Sequence, residues 1–283
     1  MVNIHSYLQL IRPFNCLMGS LGVFIAALIG AGLTIVDFWR DAVLSLVVVF
    51  IFMAGANALN DYYDRLTDKI NHPDRPIPSK KISPRNALDF GFIALFIAFI
   101  LSVFINFTAL LIVCIAAILI LFYELHFKNR GFVGNVIISL LVGFLFIFGG
   151  SVVKSYDLNL MIAFMAFFAT LSREIVKDIQ DIEGDVDRIT LPKKIGIRPA
   201  GTAAAVFIMI AVIVSPLPYF PSLLPPDILV FDVGPRYLVL VAVADVIFIR
   251  SAMVINRNPG KAQSYLKYGM FVALIAFLAA ALL

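Results

Sequence analysis

The chain has 283 residues, 61% of them hydrophobic and 14% charged, with a mean hydropathy of +0.99 and a formal net charge of +4. A soluble domain carries about 25% charged residues, so this composition excludes a soluble globule and describes an all-α, polytopic membrane protein. The pI near 9.1 does not point to nucleic acid, because the positive charge is gathered in short loops between apolar runs.

Cutting the chain at Pro, Gly and charge clusters gives nine predicted spans, near 14–36, 42–60, 87–106, 108–127, 132–153, 158–176, 200–222, 233–254 and 265–283. The first follows Arg12 and Pro13 and is long enough to cross a bilayer, so it is expected to stay in place rather than act as a signal peptide. Cys16 and Cys114 lie in apolar runs and read as inert packing residues. His5, His72 and His126 are scattered without ligand spacing, which argues against zinc or haem. With the N-terminus and every even-to-odd connection on one side, that side collects 19 of the 22 Lys and Arg; Arg40, Lys154 and Arg236 fall on the other. The positive-inside rule then places the N-terminus and both long polar connections in the cytoplasm and the C-terminus outside. One domain over 1–283 is expected.

Ten of the 18 carboxylates fall in two stretches: Asp61, Asp64, Asp68 and Asp74, then Glu174, Asp178, Asp181, Glu183, Asp185 and Asp187. Each stretch runs on to proline and paired lysines, "PSKKISPRNA" and "PKKIGIRPA", which hints at a duplicated unit. If the second span continues past Asn60, then Asn60, Asp64 and Asp68 share one helical face, and Asp178, Asp181 and Asp185 do the same further on. Like charges on one face repel, and carboxylates at a helix C-terminus oppose its dipole, so two such ladders call for a cation. Mg²⁺ suits them: it takes one or two carboxylates, keeps waters and bridges to substrate phosphates. The expected ligand is therefore a diphosphate, its remaining charge met by Arg12, Arg75, Lys128, Arg173 or Lys177. Apolar helices below such a head suit an isoprenoid tail, and Tyr62, Tyr63 and Tyr123 are the aromatic residues best placed to steady a carbocation. Glu124 reads as a neutralising partner for Lys128, and Asp245 has no evident partner.

"NDYYDRLTD" at 60–68 and "DIEGD" at 181–185 match the NDxxDxxxD and DxxxD motifs of the UbiA family of intramembrane prenyltransferases. The "RP" at Arg12, the "DRPIPSKKIS" loop, Lys128 before "GFVGN" and the nine spans extend the resemblance over nearly the whole chain. It implies nine transmembrane helices around a central cavity open sideways to lipid, with cytoplasmic cap loops. By motif, Asn60, Asp64, Asp68, Asp181 and Asp185 would bind two Mg²⁺ and the prenyl diphosphate, with Asp61 and Asp178 in support; Arg12, Arg75 and Lys128 would hold phosphate oxygens. Asp64, Asp68, Asp181, Asp185 and Lys128 would then carry catalysis, by assisting ionisation of the allylic carbon–oxygen bond.

Within that family, "SREIVKDIQDIEGDVDRITLPKKIG" and "NHPDRPIPSKKIS" look most like the archaeal-lipid branch. Its members join geranylgeranyl diphosphate to the free hydroxyl of geranylgeranylglyceryl phosphate. An acceptor with its own phosphate would draw on Arg173, Lys177, Arg188, Lys193 and Lys194. The alternative is an aromatic acceptor, as in the quinone branch. A cation transporter is disfavoured because both ladders sit at helix ends and, among the span interiors, Asp245 is the clearest charged exception. The single compact aspartate run of CDP-alcohol phosphotransferases does not occur. Membrane lipid is the expected surrounding, and nothing in the sequence calls for nucleic acid or an obligate protein partner.

Overall fold

The computed structural model describes residues 4–128, 130–182, 189–220 and 233–282. Asp185 and Arg188 of the second acidic stretch, and most of the proline-rich segment at 215–235, lie outside the described residues. The remainder folds as α1 (Ile4–Ile11), α2 (Pro13–Ala31), α3 (Trp39–Tyr63), α4 (Arg65–Asn71), α5 (Pro84–Val103), α6 (Phe107–Phe122), α7 (Phe132–Val153), α8 (Asp157–Gln180), α9 (Leu191–Ile195), α10 (Ile197–Val214), α11 (Pro235–Val254) and α12 (Pro259–Leu282).

Eight apolar helical stretches are long enough to cross a membrane. The first, Pro13–Tyr63, contains both α2 and α3, which fold back on each other, so nine long helices stand among the described residues. Proline opens α2, α5 and α11 at the start of the helix, where its missing N–H is no loss. Ser83 and Asn106 cap α5 and α6 by accepting from the Asn86 and Ala109 amides. The first span is shorter as an α-helix than the apolar run suggests: Gly32, at φ 56°, ends α2, and residues 32–38 tighten into a 3₁₀ segment.

In chain order the long helices form a ring, each packing on the next, and α12 closes it against α2. Contacts of α2 with α7 and of α8 with α12 cross the ring. Apolar faces outside are no driving force inside lipid, so close backbone approach and internal hydrogen bonds hold such helices together. Where α3 crosses α5, a Cβ on Gly55 would lie 2.9 Å from the Gly91 carbonyl oxygen. Asn159 on α8 donates its amide to the carbonyls of Ala26 on α2 and Phe146 on α7, at 2.8 and 3.0 Å. The largest core cluster lies among α8, α10, α11 and α12.

Candidate active site

The ends of α3, α6 and α8 and the start of α7 meet at one end of the bundle. There α3 stops at Tyr63, and Asp64, at φ −82°, ψ −2°, stands between it and α4. The helix-like hydrogen bonds persist through the break, from the Asp64 amide to Asn60 and from the Asp68 amide to Asp64. The first acidic stretch divides into two groups, Asn60 with Asp64 and Asp61 with Asp68. Further on, α8 ends at Gln180 with Asp181 as its C-cap, and the expected partner Asp185 lies outside the described residues.

Asn60 and Asp64 turn toward the end of α6. There Tyr123–Phe127 form a π-helical turn, and the Lys128 amide bonds the Tyr123 carbonyl five residues back at 2.8 Å. This turn buries Glu124 beside both partners: its Oε1 accepts from Asn60 Nδ2 at 2.9 Å and its Oε2 from Lys128 Nζ at 2.8 Å. Lys128 also reaches Asp64 Oδ1 at 2.8 Å, so one ammonium joins two carboxylates from different helices. A carboxylate only accepts, which fixes the Asn60 amide with Nδ2 toward Glu124 and leaves its Oδ1 for another ligand.

Asn60, Asp64 and Lys128 line a polar cavity of about 240 Å³ together with Tyr123, Asn135, Glu174, Lys177, Asp178 and Thr190, with Glu124 buried behind them. Asn135 on α7 donates to Asp178 Oδ2 at 2.7 Å, the counterpart across the cavity wall of the Asn60–Glu124 bond. Asp178 and Lys177 of the second stretch therefore share a site with Asp64 and Lys128 of the first.

The second group faces away from that lining. Asp61, 2% exposed, takes the Arg12 guanidinium and lies 3.6 Å from Arg75, which bonds Asp68 Oδ2 at 2.7 Å. These residues lie beneath the loop 72–83, which Ile77 and Ile82 pin onto α1 and α3 beside Leu10 and Ala58. Arg12, Asp61, His72, Asp74 and Arg75 line a separate cavity of about 350 Å³. Arg12 holds φ 52°, a strained position just before Pro13, and its ion pair to Asp61 accompanies that strain. Arg173 pairs with Glu174 at 2.9 Å, and Arg65 rather than any ligand covers the Tyr62 ring at 4.4 Å. Asp181 is an exposed C-cap of α8.

A third cavity, about 260 Å³ and apolar, is lined by α7, α8, α10, α11 and α12, with Ser215 and Asp245 as its polar side chains. It lies beside the polar cavity along α7: Ile138 lines the polar one, and Val142 and Phe146, four and eight residues further along the same face of α7, line the apolar one. The step is one helical turn, about 6 Å. On α8, Glu174 and Asp178 line the first, and Ile162, Met165 and Ala169 the second.

The donor set fits Mg²⁺. Asn60, Asp64, Glu174 and Asp178 offer hard oxygens around one cavity. Among the described residues no three His, Cys, Asp or Glu converge as a ready metal cage. Mg²⁺ ordinarily takes few protein carboxylates and completes its shell with water and phosphate, so an open arrangement suits it.

Sequence reading missed Asn135 and Thr190 as lining residues and gave Glu124 only its Lys128 partner. An Asn within "GFVGN" was the available signal for the first; the others depend on which helices face each other.

Residues 20–275 match the UbiA prenyltransferase family. The digeranylgeranylglyceryl phosphate synthase of Methanosphaera stadtmanae is 36% identical, over 99% of this chain and 100% of its own. A solved structure described as giving structural and mechanistic insights into digeranylgeranylglyceryl phosphate synthase in membranes matches with a TM-score of 0.88 at 35% identity, covering 99% of both chains. The Archaeoglobus fulgidus UbiA homolog bound to GPP and Mg²⁺ matches at a TM-score of 0.66 and 20% identity, over 95% of this chain and 99% of that one, and shares the fold. The chain belongs to the UbiA prenyltransferase family. It is a multi-pass membrane enzyme that transfers prenyl groups.

Proposed function

We propose that this enzyme transfers a geranylgeranyl group from geranylgeranyl diphosphate to the free hydroxyl of geranylgeranylglyceryl phosphate, forming the second ether bond of archaeal membrane lipids in a Mg²⁺-dependent reaction. The observation that carries the reading is a polar cavity at the bundle's end with an apolar one beside it further along α7 and α8, an arrangement suited to a diphosphate head and a hydrocarbon tail. The choice of acceptor rests on the relatives named for that synthesis.

Asn60, Asp64 and Asp178 would hold Mg²⁺, with Asp68, Asp181 and Asp185 as the remaining carboxylates of the two motifs. Bound Mg²⁺ supplies positive charge to the departing pyrophosphate. Lys128, fixed between Asp64 and Glu124, and Lys177 meet the phosphate oxygens as the allylic carbon–oxygen bond breaks and its electron pair leaves with pyrophosphate. The acceptor hydroxyl oxygen bonds the allylic carbon, and its proton passes to a carboxylate of the cavity, Glu174 or Asp178. Tyr123 presents its ring to the same cavity and steadies the cationic carbon. Arg12 and Arg75 order the neighbouring loop 72–83 through Asp61 and Asp68, and Arg173 aligns Glu174. The acidic ends face the cytoplasm.

Purified enzyme given radiolabelled geranylgeranyl diphosphate, Mg²⁺ and either geranylgeranylglyceryl phosphate or 4-hydroxybenzoate tests this. A labelled diether from the first acceptor alone, abolished by EDTA and restored by Mg²⁺, is the expected result. Product from 4-hydroxybenzoate alone would replace the acceptor, and EDTA-resistant turnover would remove the metal.

A further inference from the structure

Thr190 belongs to neither acidic motif. It is 2% exposed, lines the polar cavity, and its Oγ1 meets no hydrogen-bond partner among the described residues. It stands at the N-cap of α9, where a threonine hydroxyl normally accepts from an amide of the first turn, yet it makes no such bond. Burying an unpaired hydroxyl is costly, so the site is incomplete as it stands.

A second, independent feature adjoins it. The 22-residue helix α7 starts at the same cavity, with Gly131 at its N-cap, no side chain capping it, and Gly131, Gly134 and Asn135 in the lining. The leading N–H groups of a helix lack internal partners and carry its positive dipole end. Gly131, at φ 54°, holds the two features together: a Cβ there would lie 2.3 Å from the Ile189 carbonyl oxygen and 3.0 Å from Thr190 Cα. Only a glycine allows the chain at 189–190 to press against the start of α7. Lys128 and Lys177 line the same space, so an uncapped helix start, a partnerless buried hydroxyl and two ammonium groups face one cavity.

We infer that Thr190 and the start of α7 bind the pyrophosphate leaving group, with the Thr190 hydroxyl donating to a phosphate oxygen. This rests on the prenyl-transfer reading and adds to it a residue outside both motifs. The acceptor's phosphate monoester offers the same oxygens; pyrophosphate is assigned because the cavity also holds Asp64 and Lys128 of the first motif.

The full-length protein in detergent, with Mg²⁺ present, is titrated with inorganic pyrophosphate and separately with sn-glycerol 1-phosphate, for wild type, Thr190→Val and Thr190→Ser. Thr190→Val should weaken pyrophosphate binding about tenfold or more, Thr190→Ser by less than about threefold, and neither should alter glycerol phosphate binding. Because the valine removes an unpaired hydroxyl, its ligand-free melting temperature should match or exceed that of wild type. Unchanged pyrophosphate binding in Thr190→Val, a lowered melting temperature in that variant, or a loss confined to glycerol phosphate would each overturn the assignment. Wild type that fails to bind pyrophosphate at all would instead bring down the reading of the cavity as a diphosphate site.

Discussion

Lys128 illustrates how little of a residue's role its own position in sequence reveals. A lysine in a loop of a membrane protein is usually a topology signal, and only its two carboxylate partners, Asp64 after α3 and Glu124 in the π turn after α6, bring it into the polar cavity's lining as a fixed charge. Glu124 is the residue on which that depends. In Glu124→Gln the retained Oε1 still accepts from Asn60, but an amide NH₂ would face the Lys128 ammonium, donor against donor. The expected result is a fall in kcat of about tenfold to a hundredfold with the protein still folded, because the ammonium loses its fixed position. Wild-type kinetics in Glu124→Gln would return Glu124 to simple charge neutralisation. Asn60, Asp64, Tyr123, Lys128, Lys177 and Asp178 were legible in the sequence because motif spacing and charge mark them. Asn135 and Thr190 were not, since an isolated Asn or Thr beside apolar residues says nothing until the helix facing it is known.

At the scale of elements, the nine spans follow from hydropathy alone, and their ends from Pro13, Pro84, Pro235 and the caps Ser83 and Asn106. What the sequence could not give is the interruption at Asp64, which keeps the i→i−4 bonds of a helix, or the π turn at Tyr123–Phe127, whose five-residue bonds follow no apolar or charge pattern. The expected ladder put Asp68 beside Asp64; in the structure Asp68 pairs instead with Arg75, which also lies 3.6 Å from Asp61. Close helix crossings were also invisible, since their glycines carry no periodic signal. Gly55→Ala places a methyl 2.9 Å from the Gly91 carbonyl and 3.0 Å from Ala94 Cβ. It should destabilise the protein by about 1–3 kcal/mol through overpacking where α3 meets α5, read as a lowered melting temperature in detergent. A melting temperature equal to that of wild type would mean that the two helices can separate without cost.

For the whole molecule, the charge asymmetry makes a statement about orientation that the bundle itself does not contain. Single cysteines introduced at Lys81 and Arg85 of a variant lacking Cys16 and Cys114 should resist a membrane-impermeant maleimide in intact cells and react after permeabilisation. A cysteine at Lys154, beyond the opposite end of α7, should react without permeabilisation. The reverse pattern would invert the topology while leaving the site unchanged.

The placing of the apolar cavity beside the polar one along α7 and α8 also bears on how such an enzyme would meet its substrates. A molecule that fills both has its head at the bundle's end and its chain inside the span, so it arrives already dissolved in lipid rather than from bulk water. The quantity that sets the rate is then the mole fraction of substrate in the bilayer. Adding inert lipid at constant total substrate slows the reaction as surely as removing substrate, and a change in membrane composition becomes a change in enzyme velocity with no effector bound.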